Sequence, residues 1–189
     1  MISNSVTKLN SHVCPHQIAF ILDNWIRRLI QPPGKIVAPY IQEGSTVIDM
    51  GCGPGYFTID MAKMVGPGGR VIAVDIQVKM LERVRKKAQK HRLEERIVYH
   101  TAESDHIGLN QTADFILAYY MIHEIPDKTK TLGELKNLLK DGGKMLVVEP
   151  KMHVSQTAFE KMIQIAESVG LKAVEFPKRR GERCVVWMV

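Results

Sequence analysis

The chain of 189 residues is 45% hydrophobic and 24% charged, a composition typical of a single globular domain with its own core. It contains no apolar run of the roughly 20 residues that a membrane span needs, and its first residues lack the apolar segment of a signal peptide. Its three cysteines are too few for a disulfide framework, so we expect a cytoplasmic protein. The net charge of +6 permits an anionic or nucleic-acid partner but does not require one.

Helices and strands are predicted to alternate along the chain. Apolar residues at helical spacing indicate a helix over residues 15–31, which ends at "QPPGK" (31–35) and precedes a short helix from Ile36 to Ile41. Five apolar runs predict buried strands, which span residues 46–50, 71–75, 96–101, 113–120 and 142–150. Four further helices are predicted between and after these strands, at residues 56–65, 77–91, 128–140 and 155–169.

The last part of the chain has a different pattern. Residues 171–177 and 183–189 are strand-like segments on either side of a basic loop, which predicts an antiparallel pair. The alternating strands and helices before them imply an α/β fold, in which helices cover both faces of a mostly parallel sheet. Ligands bind such sheets beyond the carboxyl ends of the strands, so the residues that end or follow each strand are the candidates for a site.

A glycine-rich segment, "VIDMGCGPGYFT" (47–58), follows the first strand and is typical of a nucleotide-binding turn. It departs from the dinucleotide pattern G-x-G-x-x-G, because the third glycine is Gly55 and position 56 is a tyrosine. Asp75 ends the second strand, twenty residues beyond Gly55. A carboxylate there suits the ribose diol of any nucleoside bound at the loop.

Asp49 distinguishes between two possible ligands of this loop. A carboxylate directly under the loop repels the pyrophosphate of NAD but attracts the ammonium of S-adenosylmethionine (SAM), by roughly 4 kcal/mol at close contact. Glycines in the loop let the backbone approach the ligand without a Cβ in the way. The charge pattern therefore favours SAM, and an NAD-binding oxidoreductase is a less favoured alternative.

These motifs resemble those of class I SAM-dependent methyltransferases of the small-molecule type, similar to ubiquinone-biosynthesis and arsenite methyltransferases. "VIDMGCGPG" resembles the first motif of that family, "VIAVDI" the second, and "TAE" (101–103) the adenine-binding segment. "ADFILAYYMIHEIPD" and "LLKDGGKMLVVEP" resemble the motifs of the fourth and fifth strands. The resemblance covers residues 44–189 and implies a Rossmann-like sheet of order 3-2-1-4-5-7-6 with strand 7 antiparallel. Residues 1–43 are then expected to form an N-terminal helical lid on the same domain.

The resemblance also implies how SAM is held. Asp75 would bind the ribose hydroxyls, Ile76 would pack on adenine, and Ala102 would offer a backbone N–H to the base. Thr101 stands where the family often has aspartate, so Thr101 and Glu103 are both candidates for the adenine amino contact. The whole set of predicted cofactor-binding residues is Asp49, Gly51, Cys52, Gly53, Gly55, Asp75, Ile76, Thr101, Ala102, Glu103 and Tyr119.

The segment "YYMIHEIP" (119–126) supplies the candidate catalytic residues. His123 is predicted to be the general base, because its reference pKa is close to the working pH; the alternative is a histidine that caps a helix or packs. Glu124 is predicted either to orient His123 or to face solvent, and Tyr120 to line the methyl pocket beside Tyr119. The segment is not the Asn-Pro-Pro-Tyr signature of many amino-methylating enzymes, and the short loops favour a small-molecule acceptor.

Two other acceptors stay open at this point. The excess of basic residues would suit an RNA (tRNA) methyltransferase. A metalloid or thiol acceptor at Cys14 is a second possibility, because several soft or basic groups are predicted to approach the same rim of the sheet. Those groups are His12, Cys14, His16, His123 and His153. The spacing H-x-C-x-H is not a standard zinc pattern, so no bound metal is predicted, and the chain is expected to be a monomer or a homodimer.

Overall fold

The computed structural model describes residues 32–189, so the predicted helix over 15–31 and the residues His12, Cys14 and His16 lie outside the described part. Seven strands form one sheet: β1 Thr46–Met50, β2 Arg70–Asp75, β3 Ile97–Thr101, β4 Ala113–Tyr119, β5 Leu139–Pro150, β6 Lys172–Glu175 and β7 Glu182–Met188. Their order is β3-β2-β1-β4-β5-β7-β6. The first five strands pair in parallel, and β7 runs antiparallel to both β5 and β6. The predicted α/β fold class and strand order are confirmed.

Helices cover both faces of this sheet. They are α1 Pro33–Val37, α2 Thr58–Met64, α3 Val78–His91, α4 Lys128–Asn137 and α5 Gln156–Ser168. Successive residues of a strand point to opposite faces, and Val47 and Ile48 of β1 accordingly belong to two different buried clusters. The cluster around Val47 contains residues of α2 and α3, and the cluster around Ile48 contains residues of α4 and α5. The core therefore lies in two layers, which is why every residue of β1 after Thr46 is buried.

The predicted boundaries differ most from the structure at the first described helix and at the start of β5. Helix α1 begins at Pro33, inside the segment expected to be a break, because proline is well suited to the first helical turn, where its missing N–H costs nothing. It gives way at Ala38 to a single 3-10 turn. Strand β5 begins at Leu139, three residues earlier than expected, and shortens α4. The pairing of β5 with β4 shifts register between Ala113 and Phe115, so this first part of β5 is a bulged extension.

Within residues 32–189, each helix is too short or too polar to cross a bilayer.

Candidate functional site

The carboxyl ends of β1, β2, β4 and β5 border a cavity of about 920 Å³. Ligand pockets measure about 300–1,000 Å³, so this cavity is large enough for a nucleoside together with a small second ligand. Most of the predicted site residues line it: Asp49, Gly51, Cys52, Gly53, Asp75, Ile76, Glu103, Tyr119, Tyr120, His123 and Glu124. Gly55, Thr101 and Ala102 lie outside the lining that the described residues form.

The glycine-rich loop is fixed to the end of β2 by backbone hydrogen bonds. The Cys52 N–H donates to the Val74 carbonyl over 2.9 Å, which extends the parallel ladder by one residue. The Gly53 N–H then donates to one carboxylate oxygen of Asp75 over 2.9 Å, and the Gln77 N–H donates to the other over 2.8 Å. Asp75 therefore joins the loop to the turn after β2. Burial raises its pKa, and these backbone donors partly oppose that rise.

Two glycines of the loop have different functions. Gly53 has φ +51°, and a Cβ placed there would meet no described atom within 4 Å, so its open side faces the cavity. Gly55 has φ +82°, and a Cβ there would approach a methyl group of Val84 in α3 to 3.1 Å. Gly53 thus leaves space for a ligand, whereas Gly55 allows the loop to pack closely on a helix.

Asp49 is a buried carboxyl group at the floor of the cavity, with 3% of its surface exposed. Its Oδ2 accepts a hydrogen bond of 2.5 Å from the Thr58 hydroxyl at the start of α2. Burial, with a smaller contribution from the charge of Asp75, raises its pKa to about 7. A cationic group bound beside Asp49 would favour its ionised form, so the site suits a positively charged ligand.

The residues predicted to bind adenine are divided between the cavity and the sheet. Ile76 is 41% exposed and lines the cavity, as does Glu103. The Ala102 N–H instead donates to the carbonyl of Asp75 over 3.2 Å, and so it continues the ladder between β2 and β3. Thr101 is exposed outside the cavity lining that residues 32–189 form. The expectation that the Ala102 N–H faces a base therefore differs from the observed hydrogen bonding.

The turn that follows Glu103 also lines the cavity, and sequence reasoning missed it. His106 and Ile107 both contribute to the lining. Glu134 of α4 holds this turn, because its Oε2 accepts the Ile107 N–H over 2.7 Å and its Oε1 lies 3.2 Å from Nδ1 of His106. The sequence signal that could have identified this turn is its position a few residues beyond the end of β3.

His123 is held by a carboxylate from the next strand. Nδ1 of His123 lies 2.5 Å from Oε2 of Glu149, and the His123 N–H donates to Oε1 of the same carboxylate over 3.1 Å. The Glu149 side chain is fully buried, whereas His123 is partly exposed to the cavity. The hydrogen bond that Glu149 accepts raises the pKa of His123, and burial opposes this rise. Glu149, and not the predicted Glu124, forms the hydrogen bond to the ring; Glu124 lines the cavity and acts on His123 by its charge.

Tyr119 and Tyr120 are held in a similar way by Glu182, the first residue of β7. Both tyrosine hydroxyls donate to Oε1 of Glu182, the Tyr120 bond measuring 2.7 Å. Glu182 is buried, with 3% of its surface exposed, and its other oxygen pairs with Arg179. His123 in the cavity wall is thus hydrogen-bonded to the buried Glu149, and the tyrosine pair is hydrogen-bonded to the buried Glu182. Neither glutamate lines the cavity itself.

No group of three or more His, Cys, Asp or Glu residues between positions 32 and 189 is arranged to hold a metal ion. His123 and His153 do approach each other, with ring centroids 5.9 Å apart. The other members of the suspected metalloid cluster lie outside the described residues.

A family model described as a methyltransferase domain matches residues 41–176 of the chain. The chain belongs to this family. The methyltransferase domain is also similar to a demethylmenaquinone methyltransferase of Lactobacillus johnsonii, with 32% identity over 58% of this chain and 45% of that protein. A ubiquinone/menaquinone biosynthesis C-methyltransferase of Haemophilus ducreyi is 31% identical over 58% of this chain and 42% of that protein. The matches therefore span a little under half the length of either relative.

Solved structures show the same relationship. A SAM-dependent methyltransferase from Aquifex aeolicus superposes with a TM-score of 0.82 at 26% identity, covering 93% of this chain and 99% of that chain. A TehB-like SAM-dependent methyltransferase from Corynebacterium glutamicum has a TM-score of 0.70 at 14% identity, covering 92% and 99%, and it shares the fold. The methyltransferase family and its class I fold are confirmed, and SAM is the methyl donor that this family implies.

The cavity fits that donor on its own chemistry. Asp49 offers a carboxylate to a cation, and Gly53 leaves open space on the loop. Asp75 presents oxygens that can accept from hydroxyl groups, and the apolar Ile76 is half-exposed beside it. By contrast, two buried carboxyl groups at the loop would disfavour the pyrophosphate of a dinucleotide.

Proposed function

We propose that this methyltransferase moves a methyl group from SAM to a hydroxylated ring in a small molecule, with His123 as the general base. The observation that carries the proposal is the His123–Glu149 pair, which places a basic imidazole in the same cavity as the glycine-rich loop (residues 51–55), called the donor loop below. The two relatives named for quinone biosynthesis support an acceptor of this kind. Methylation of a hydroxylated ring, at oxygen or at carbon, releases a proton, which the enzyme must remove.

The donor would be held by residues of the loop and of the end of β2. Asp49 would bind the ammonium, Gly53 would allow close approach of the backbone, and Asp75 would accept hydrogen bonds from the ribose hydroxyls. Ile76 would pack against the adenine ring. When bound, SAM supplies a methyl group on a positively charged sulfur, and the remaining task of the protein is to align an acceptor with it and to take up the proton.

Glu149 determines which nitrogen of His123 acts as the base. Because Nδ1 lies 2.5 Å from a buried carboxylate, we assign the ring proton to Nδ1, which leaves Nε2 with a free electron pair. The hydrogen bond to Glu149 then stabilises the imidazolium after the proton has been taken up. Tyr120 would contribute its ring to the wall of the cavity, and Glu124 would add negative charge near His123.

The proposal is tested by methyl transfer from tritiated SAM to 1,4-naphthohydroquinone, a soluble hydroxylated ring. We expect the parent protein to methylate this probe, and His123→Gln to lose at least 100-fold of the rate while it binds SAM as tightly by calorimetry. His91→Gln, on the surface of α3, is the matched control and should behave as the parent. Full activity of His123→Gln, or tighter binding of NADH than of SAM, would contradict the proposal. Transfer to bulk tRNA at low salt, without transfer to small rings, would overturn the choice of acceptor.

Two wider proposals accompany this function. We propose that residues 1–31, the part of the expected lid that lies outside the described residues, cover the acceptor side of the cavity. Residues 32–43 do not line the cavity, so deletion of residues 1–31 should raise the KM for the acceptor more than that for SAM. We also propose that the protein works in the cytoplasm, where its buried thiols Cys52 and Cys184 would stay reduced. Fractionation of cells with an antibody to the protein tests this location, and recovery in an extracytoplasmic fraction would contradict it.

A further inference from the structure

The rings of Tyr119, Tyr120 and Phe57 form an aromatic face beside the donor loop. The rings of Tyr119 and Tyr120 lie with their centroids 4.3 Å apart, and the Phe57 ring lies 4.5 Å from that of Tyr119. All three residues line the cavity together with Asp49 and Gly51. Since β1 and β4 are neighbours in parallel register, the strand ends that carry Asp49 and Tyr119 lie side by side.

Tyr120 has a backbone conformation that a tyrosine rarely adopts. Its φ is +61°, in the left-handed region. The Tyr120 N–H donates to the Val148 carbonyl over 2.8 Å, and its hydroxyl donates to Glu182. Non-glycine residues kept in this region concentrate at functional sites, where the surrounding structure holds them. The unusual backbone therefore indicates that the position of this ring matters.

Glu182 changes the electronic character of both rings. A phenol that donates its proton to a carboxylate gains electron density in the ring, and the negative face of an aromatic ring attracts cations. Both hydroxyls share one oxygen of Glu182, while Arg179 pairs with the other oxygen and keeps the carboxylate in place. The pKa of Tyr119 is raised by burial and by Glu182, so its hydroxyl stays protonated and continues to donate.

We propose that Tyr119 and Tyr120, with their hydroxyls held by Glu182, recognise the positive charge of the SAM sulfonium and thereby distinguish SAM from S-adenosylhomocysteine (SAH). This inference rests on the proposed function, because it takes SAM as the donor. It assigns Glu182 as a positioning residue that acts through the two rings. Asp49 would not make this distinction, because the ammonium that it would bind is present in both molecules.

The test is the ratio of the two dissociation constants, Kd for SAH divided by Kd for SAM, measured by calorimetry on the full chain. We expect Tyr119→Leu and Tyr120→Leu each to lower this ratio on the order of tenfold, because the SAM affinity falls and the SAH affinity does not. A double variant, Tyr119→Phe with Tyr120→Phe, keeps both rings but loses their hydrogen bonds to Glu182. It should lower the ratio about threefold. Glu182→Gln should resemble the double variant.

Two controls separate charge recognition from packing. Tyr99→Phe removes a hydroxyl that is buried in β3 without a hydrogen-bond partner among the described residues, and the ratio should stay unchanged. Asp49→Asn should weaken SAM and SAH equally.

If the leucine variants also weaken both molecules equally, the rings only pack against the nucleoside and the inference is wrong. Should Glu182→Gln fail to fold, the phenylalanine double variant still decides the matter. A parent protein that binds neither molecule would overturn the proposed function itself, which is a different result.

Discussion

Replacement of Asp49 by asparagine should make the protein more stable above neutral pH. The asparagine keeps the shape of the side chain and an oxygen that can accept the Thr58 hydroxyl, but it cannot ionise. In the folded protein the pKa of Asp49 is about 7, against an ordinary value of 3.8. The folded state thus binds this proton more tightly than the unfolded state, and stability falls as pH rises between those two values.

The size of the effect follows from that difference in pKa. Each pKa unit corresponds to about 1.4 kcal/mol, so burial of the ionised carboxylate costs about 4 kcal/mol once the pH exceeds 7. Asp49→Asn removes this cost. Relative to the parent, the variant should gain about 4 kcal/mol at pH 8 but only about 1 to 2 kcal/mol at pH 5, where the folded carboxyl group is still protonated.

Urea unfolding of both proteins at pH 5 and pH 8 measures this difference. Other titrating groups are common to the two proteins, so their contributions cancel in the comparison. A second series with saturating SAM should stabilise the parent more than the variant at pH 7, because the bound cation favours the ionised carboxylate. If the stabilities of parent and variant show the same pH dependence, Asp49 titrates as an ordinary carboxylate and the electrostatic reasoning fails.

Three further predictions concern the base, the ribose site and the loop. Glu149→Gln should lower the pKa of His123, so the rise of kcat/KM with pH should begin at lower pH and reach a lower plateau; an unshifted pH profile would argue against His123 as the base. Asp75→Asn should weaken SAM binding on the order of tenfold, because its amide NH2 replaces one of the two oxygens that accept hydrogen bonds at this position. Asp75→Ala should weaken binding further, because the loop then loses both backbone hydrogen bonds to this side chain; equal affinities of the two variants in calorimetry would contradict the dual function of Asp75. Gly55→Ala should destabilise the protein by at least about 1 to 2 kcal/mol in urea unfolding, and more than Gly53→Ala, since only Gly55 faces Val84 closely; the reverse order would contradict the packing described for the loop.

Most of the fold could be predicted from sequence because parallel strands that are buried on both faces give short continuous apolar runs. The strand-end rule also placed Asp49, Asp75 and His123 at one edge of the sheet, since it depends only on where each strand stops. Boundaries were less accurate where local propensity competes with pairing, as at the bulged start of β5 near Leu139. There, hydrogen bonding to β4 overrides the helical pattern of the preceding residues.

The partners of the site residues could not be predicted in this way. Glu149 lies 26 residues from His123 in sequence, and Glu182 lies 62 residues from Tyr120. Their contacts depend on the side-chain geometry between neighbouring strands, which no spacing along the chain encodes. The same limit applies to Ala102, whose N–H extends a ladder one residue beyond the predicted end of β3. Sequence thus indicates the groups that carry the chemistry better than the groups that hold them.

The position of β7 between β5 and β6 has a consequence for how the chain folds as it is made. Of the seven described strands, β7 is synthesised last, yet it fills an interior place in the sheet. Until it emerges from the ribosome, the apolar strand β5 has an unpaired edge, which is a surface prone to aggregation. The aromatic face also lacks Glu182 until then. The nascent chain therefore passes through a stage in which the strands around the donor loop have been synthesised but the sheet is open at β5, and a chaperone bound at that edge would protect it from aggregation.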